Sequence, residues 1–217
     1  MLKHLATAAA AFLLATPAMA ATVTLDFEGI PDSTPVGSFY GPAYVFSPST
    51  LALVDEDDGG SGNFANEPSS DTIMVFLDAN NAVLDVIGGF DTGFSFFYTS
   101  RTDATVSVYD ALGGAAGGGN IIGSIDLVAQ WTDNNCTGDP TGQFCNFTPI
   151  GVSFAGTAFS IDFGGTANQT GYDNITFGSD TPGGVPEPST WAMMILGFGA
   201  VGLAIRRRRA RSMALAG

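Results

Sequence analysis

The chain has 217 residues, with 21 acidic and 7 basic side chains for a formal net charge of −14, and it is rich in glycine (29) and proline (11). The bases lie at the two ends: between Ala21 and Val185 Arg101 is the only one, and that stretch carries a net charge of about −19. An acidic surface of this kind repels nucleic acid and anionic lipid, and a stretch without His or Lys excludes Ser-His-Asp and Cys-His catalysis, Schiff-base chemistry and His-ligated zinc.

In chain order, Lys3 and His4 precede an apolar stretch from Leu5 to Leu14, and Ala18-Met19-Ala20 offers the small-x-small pattern of a signal peptidase site. Residues 1–20 therefore read as a secretory signal, cleaved after Ala20. Ten apolar residues are too few to span a bilayer, which disfavours an N-terminal anchor.

The body, residues 21–179, is one domain's length and reads as β throughout. Expected strands are Thr22–Phe27, Tyr44–Phe46, Leu51–Val54, Ile73–Leu77, Val83–Val86, Phe94–Tyr98, Thr105–Tyr109, Ile121–Val128, Val152–Phe154, Phe159–Phe163 and Tyr172–Phe177. Each is short, rich in β-branched and aromatic residues, and bounded by Gly, Pro, Asn or Asp. No apolar pattern of helical period runs through this region, so the fold class is all-β, a two-sheet sandwich of the jelly-roll kind. The glycines from Gly113 to Gly119 lack the Lys-Ser/Thr of a phosphate loop and read as a hairpin loop.

Cys136 and Cys145 are the only cysteines, and in an exported chain they are expected to form a disulfide. Closing a loop of about ten residues contributes about 2.5 kcal/mol in the chain-entropy model. Trp131, the only tryptophan of the body, lies just before this loop. It is a candidate for stacking on a sugar ring, or else a half-buried core residue.

Residues 180–190 form a Pro- and Gly-rich linker. Residues 191–205 are then fifteen residues without a charge, followed by Arg206 to Arg209 and Arg211 in a basic tail, 206–217. As a helix the run reaches about 22 Å, short of the roughly 30 Å hydrocarbon core. Trp191 at one interface and snorkelling arginines at the other make up the difference, so the segment is expected to be a transmembrane helix with its basic end in the cytoplasm.

Val185 to Arg209 resembles the PEP-CTERM sorting signal of exported proteins: Pro186-Glu187-Pro188, Trp191-Ala192, a Gly-containing apolar span and an Arg cluster follow one another in order. The resemblance implies recognition and processing by an exosortase, a membrane cysteine protease or transpeptidase, near Pro186, Glu187 and Pro188. It also implies an association with exopolysaccharide and matrix. The expected route is export, an inner-membrane-anchored precursor, then release to the cell surface or outside.

Leu25-Asp26-Phe27-Glu28-Gly29 opens the body and Tyr172-Asp173-Asn174-Ile175-Thr176-Phe177 closes it. The pairing resembles the terminal strands of jelly-roll carbohydrate-binding modules and galactose-binding-like domains, where acids near both ends hold a structural Ca²⁺. That resemblance nominates Glu28 and Asp173, with Asp26, as calcium ligands. The alternative is that these acids cap edge strands in water. The run Asp55 to Asp58 lacks the ligand spacing of an EF-hand and reads as a solvated loop.

Three functions remain open on sequence: a non-catalytic carbohydrate-binding or matrix protein, a small glycan hydrolase working through two carboxylates, and a structural surface protein without a ligand. Exposed aromatic rings beside polar groups in a groove would favour the first. Two inward carboxylates about 5–9 Å apart would favour the second.

Overall fold

The computed structural model describes residues 22–131 and 142–182, together with residue 198. The expected signal peptide, most of the membrane span, the Pro186-Glu187-Pro188 motif and Cys136 lie outside them. Twelve strands are seen: β1 (Val23–Leu25), β2 (Thr34–Pro35), β3 (Tyr44–Phe46), β4 (Leu51–Val54), β5 (Thr72–Val75) and β6 (Asn81–Phe90), then β7 (Gly93–Ser100), β8 (Ala104–Tyr109), β9 (Ile121–Leu127), β10 (Thr148–Ser153), β11 (Ala158–Gly164) and β12 (Thr170–Phe177). They form the two-sheet sandwich that the sequence predicts. One sheet runs β10-β7-β12-β5-β4-β2 with β1 also on β12, and the other runs β3-β6-β11-β8-β9. The chain crosses between sheets at most steps from β2 to β12, as in a jelly roll. The β8–β9 connection is the expected Gly-rich hairpin, and it holds a single 3₁₀ turn at Gly114–Gly117.

Period-two alternation builds the core. On β7, Phe94, Phe96 and Tyr98 point inward, and Phe163 of β11 and Tyr172 of β12 meet them from both sheets. The rings pack edge to face, with centroids 5.7 Å apart for Phe96–Phe163 and 5.0 Å for Phe163–Tyr172, the geometry that aromatic quadrupoles favour. A second, smaller apolar cluster of Phe64, Ile73, Val75 and Phe144 lies apart from this core. On β5 it takes Ile73 and Val75, while the alternate residue Met74 belongs to the main core, so the cluster sits on the sheet's outer face.

β12 is the sheet's central strand. Along one edge it pairs with β7; along the other it pairs first with β5, through Gly171 and Tyr172, and then with β1, through Ile175 to Phe177. Asp173 and Asn174 fall between the two partners. The register on the β7 side also slips there, and Asn174 takes a left-handed φ of 49°.

Candidate functional site

The handover on β12 leaves backbone N–H groups of the segment before β5 without a strand partner, and carboxylates take them up. Asp71 N and Thr72 N both donate to Glu28 Oε1 at 3.1 Å. Ser69 donates to Asp173 Oδ2 through its hydroxyl at 2.7 Å and its N–H at 3.2 Å, and Asn174 N donates to Oδ1 at 2.6 Å. Ser69 Oγ also reaches the Asp26 carbonyl at 3.2 Å, and the Tyr40 hydroxyl lies 3.5 Å from Asp26 Oδ1 and bonds to Phe27 N. The structure thus brings Asp26, Glu28 and Asp173 to one junction, with Leu25 and Phe27 on the opposite, core side as the alternation predicts.

Both Asp173 oxygens and Glu28 Oε1 accept from protein donors. Among the described residues no group of three or more His, Cys, Asp or Glu is placed to hold a metal. Asp173 is fully buried, and burial pushes its carboxyl up to about 7. The three hydrogen bonds from Ser69 and Asn174 pull the other way, and the Glu28 charge adds to the rise. Tyr40 is also pushed up, first by burial and then by the charges of Asp26 and Asp173. Sequence reasoning found the acids and missed Ser69 and Tyr40, which carry no local signature.

Glu67 lies on the same side of the molecule as Asp55, Asp58 and Asp71, whose charges reinforce burial in pushing its carboxyl up to about 7. Its Oε2 is buried without a hydrogen-bond partner.

Trp131 stands half-buried against the outer cluster, 5.8 Å from the Phe144 ring. The Arg101 guanidinium lies 4.1 Å over its centroid, so the one base of the body occupies a face that a sugar would need. Cys145 is fully buried beside it, its N–H donating to the Trp131 carbonyl at 3.1 Å.

Near the β6–β7 hairpin, at the far end of β7 from Arg101, a groove of about 380 Å³ opens between the sheets. The half-buried rings of Tyr44 and Phe90 line it over the buried Phe177, together with Gly88 and the exposed Asp91 and Thr157. Phe177 lies 5.4 Å from Tyr44 and 4.9 Å from Phe90. The Tyr44 hydroxyl, the Asp91 carboxylate and the Thr157 hydroxyl make no hydrogen bond to any described residue. Burial pushes the Tyr44 phenol up. No sequence spacing announces this site, because its parts come from β3, β6, β12 and two loops.

The family model described as the PEP-CTERM protein-sorting motif matches residues 184–209. The chain carries a PEP-CTERM sorting motif. The motif marks an exported protein with a membrane-anchored C-terminal sorting signal, and it implies exosortase processing. No curated protein matches the chain. Among solved structures, the K2 cleaved adhesin domain of Lys-gingipain is similar at 14% identity, covering 72% of this chain and 99% of that one, with a TM-score of 0.49. A family 6 carbohydrate-binding module (10% identity, 71% and 92% coverage, TM-score 0.38) and the family 35 module of Clostridium thermocellum (10%, 73% and 98%, 0.38) are similar too. These are likenesses of shape.

Proposed function

We propose that the PEP-CTERM signal delivers a non-catalytic, glycan-binding β-sandwich to the cell surface or the extracellular matrix, where exopolysaccharide is its partner. The groove carries this reading: the half-buried rings of Tyr44 and Phe90 suit the C–H face of a pyranose, and three polar groups without a protein hydrogen bond are among its lining. It offers one carboxylate, Asp91, where hydrolysis needs two, so binding is favoured over the hydrolase alternative. A glycan array probed with the exported protein tests the proposal. Binding to at least one glycan class, without release of reducing sugar, is the expected result; binding to none would leave a purely structural protein.

The Cys136–Cys145 disulfide belongs to the same proposal, as a staple beside Trp131. Non-reducing mass analysis of the exported protein should find the two residues in one cross-linked peptide and no free thiol. Stoichiometric labelling of the native protein by a thiol reagent would contradict it.

A structural Ca²⁺ at Glu28 and Asp173, with Asp26, is a further proposal, in which the ion competes with the proton for Asp173. At pH 8 a chelator should then lower Tm by several degrees, since a ligand at one hundred times Kd stabilises by about 2.7 kcal/mol. The double change Glu28→Gln, Asp173→Asn should erase that response. Equal stabilisation by sodium at the same ionic strength would show general screening instead.

A further inference from the structure

We infer that the groove at the β6–β7 end is built for a pyranose carrying a free amine, the de-N-acetylated amino-sugar unit of an extracellular polysaccharide. The inference rests on the glycan-binding reading above and adds the chemistry of the ligand.

Shape comes first. The groove's volume, about 380 Å³, lies at the lower end of the range of small-molecule sites. Its walls are rings held by one another: Tyr44 leans on Phe177 at 31°, and Phe90 meets Phe177 edge-on at 72°. A Cβ at Gly88 would meet nothing within 4 Å, so the backbone there leaves open space beside the rings. The Tyr44 and Thr157 hydroxyls each donate and accept, the capacity that ring hydroxyls require.

Charge then selects among sugars. Asp91 and Arg101 flank the same strand, β7, one just before its start and the other just after its end. Eight residues at about 3.3 Å each put them roughly 26 Å apart, well beyond a Debye length at physiological salt. The only base of the body therefore gives the groove no help with an anion, and Asp91 in its lining, with the net negative charge of the body, repels uronate- or sulfate-bearing glycans. A cation is drawn in by the same field. The exposed Asp91 carboxylate, without a described partner, is an acceptor only, and an ammonium group supplies three donors to it. A charge-assisted bond of this kind is about twice as strong as a neutral one.

Calorimetric titration of the exported protein with three tetramers, of glucosamine, N-acetylglucosamine and glucose, decides the matter at pH 6 and fixed ionic strength. The glucosamine tetramer should bind about fivefold tighter than the other two, the range of one exposed ion pair. Tyr44→Phe keeps the ring on Phe177 and should weaken all three; Asp91→Asn should abolish only the preference for the amine. Equal binding of the three tetramers, or a preference that survives Asp91→Asn, overturns the amine assignment while the glycan-binding reading stands. Glucosamine binding untouched by both variants would mark general attraction to the acidic surface and also overturn it. Binding of none of the three overturns the amine assignment, and the glycan array then decides the glycan-binding reading.

Discussion

With Pro186 and Glu187 both changed to alanine, the protein should stay in the membrane fraction at full length, while the wild type should be recovered without residues 191–217. The expected change is close to all-or-none. A processing enzyme that reads a short peptide needs it extended, and proline enforces this twice, by fixing its own φ and by pushing the preceding residue out of the helical region. Alanine at 186 removes that constraint, and loss of the Glu187 carboxylate removes the charge between the two prolines. What remains is an uncharged run of fifteen residues stopped by Arg206 to Arg209. Each arginine costs several kcal/mol to move into the bilayer, so an uncut tail stays where it is. Mass spectrometry of secreted wild-type protein checks the claim directly. Peptides from residues 191–217 in that material would refute it.

The sandwich should be more stable at pH 5 than at pH 8, and Asp173 should be the main cause. Its folded-state value, about 7, lies above the ordinary carboxyl value of 3.8 that the unfolded chain takes. The folded protein therefore binds the extra proton between those values, and stability is fully present below about 4 and lost as pH rises through 7. Between pH 5 and pH 8 the loss is about 3 kcal/mol, or on the order of 10 °C in Tm for a body of this size. Glu67, also pushed up to about 7, acts in the same direction, discounted for its exposure. Thermal unfolding from pH 4 to 8 in the presence of a chelator measures the slope, free of any cation held at Asp173. Asp173→Asn should flatten most of it, because the amide is neutral at every pH and keeps an acceptor for Ser69. A slope unchanged in that variant would place the effect in the general self-repulsion of twenty acids instead.

Strands were legible wherever breakers framed them. Tyr44–Phe46 sits between Gly41-Pro42 and Pro48, and Leu51–Val54 stops at the acidic run from Asp55; both coincide with β3 and β4. β2 escaped notice because it is two residues long and one of them is proline. β10 was expected at Val152–Phe154 but spans Thr148–Ser153, since Pro149 and Gly151 hide a strand from any propensity scale. Proline is tolerated there because β10 is an edge. Pairing of the first and last strands followed from the resemblance of the termini, and with it the meeting of Glu28 and Asp173. Their actual partners, the amides of Ser69, Asp71 and Thr72, are exposed by a change of strand partner, which is a property of register and leaves no mark on composition. The groove is the extreme case: residues 44, 90, 157 and 177 become neighbours only when two sheets close.

β12 sits at the centre of its sheet, and the chain runs from its end at Phe177 directly toward the sorting signal. Gly178 N donates to the Gly93 carbonyl and Ser153 Oγ to Asp180 Oδ2 at 2.6 Å, fastening the exit to β7 and β10. A pull on the C-terminal attachment is therefore transmitted along the axis of β12. Its ladder bonds to β7 on one edge, and to β5 and β1 on the other, lie across that axis and are loaded together in shear rather than opened one at a time. The tether is rooted in the strand that is hardest to peel away. The neighbouring groove lies at the same end, beside Gly178.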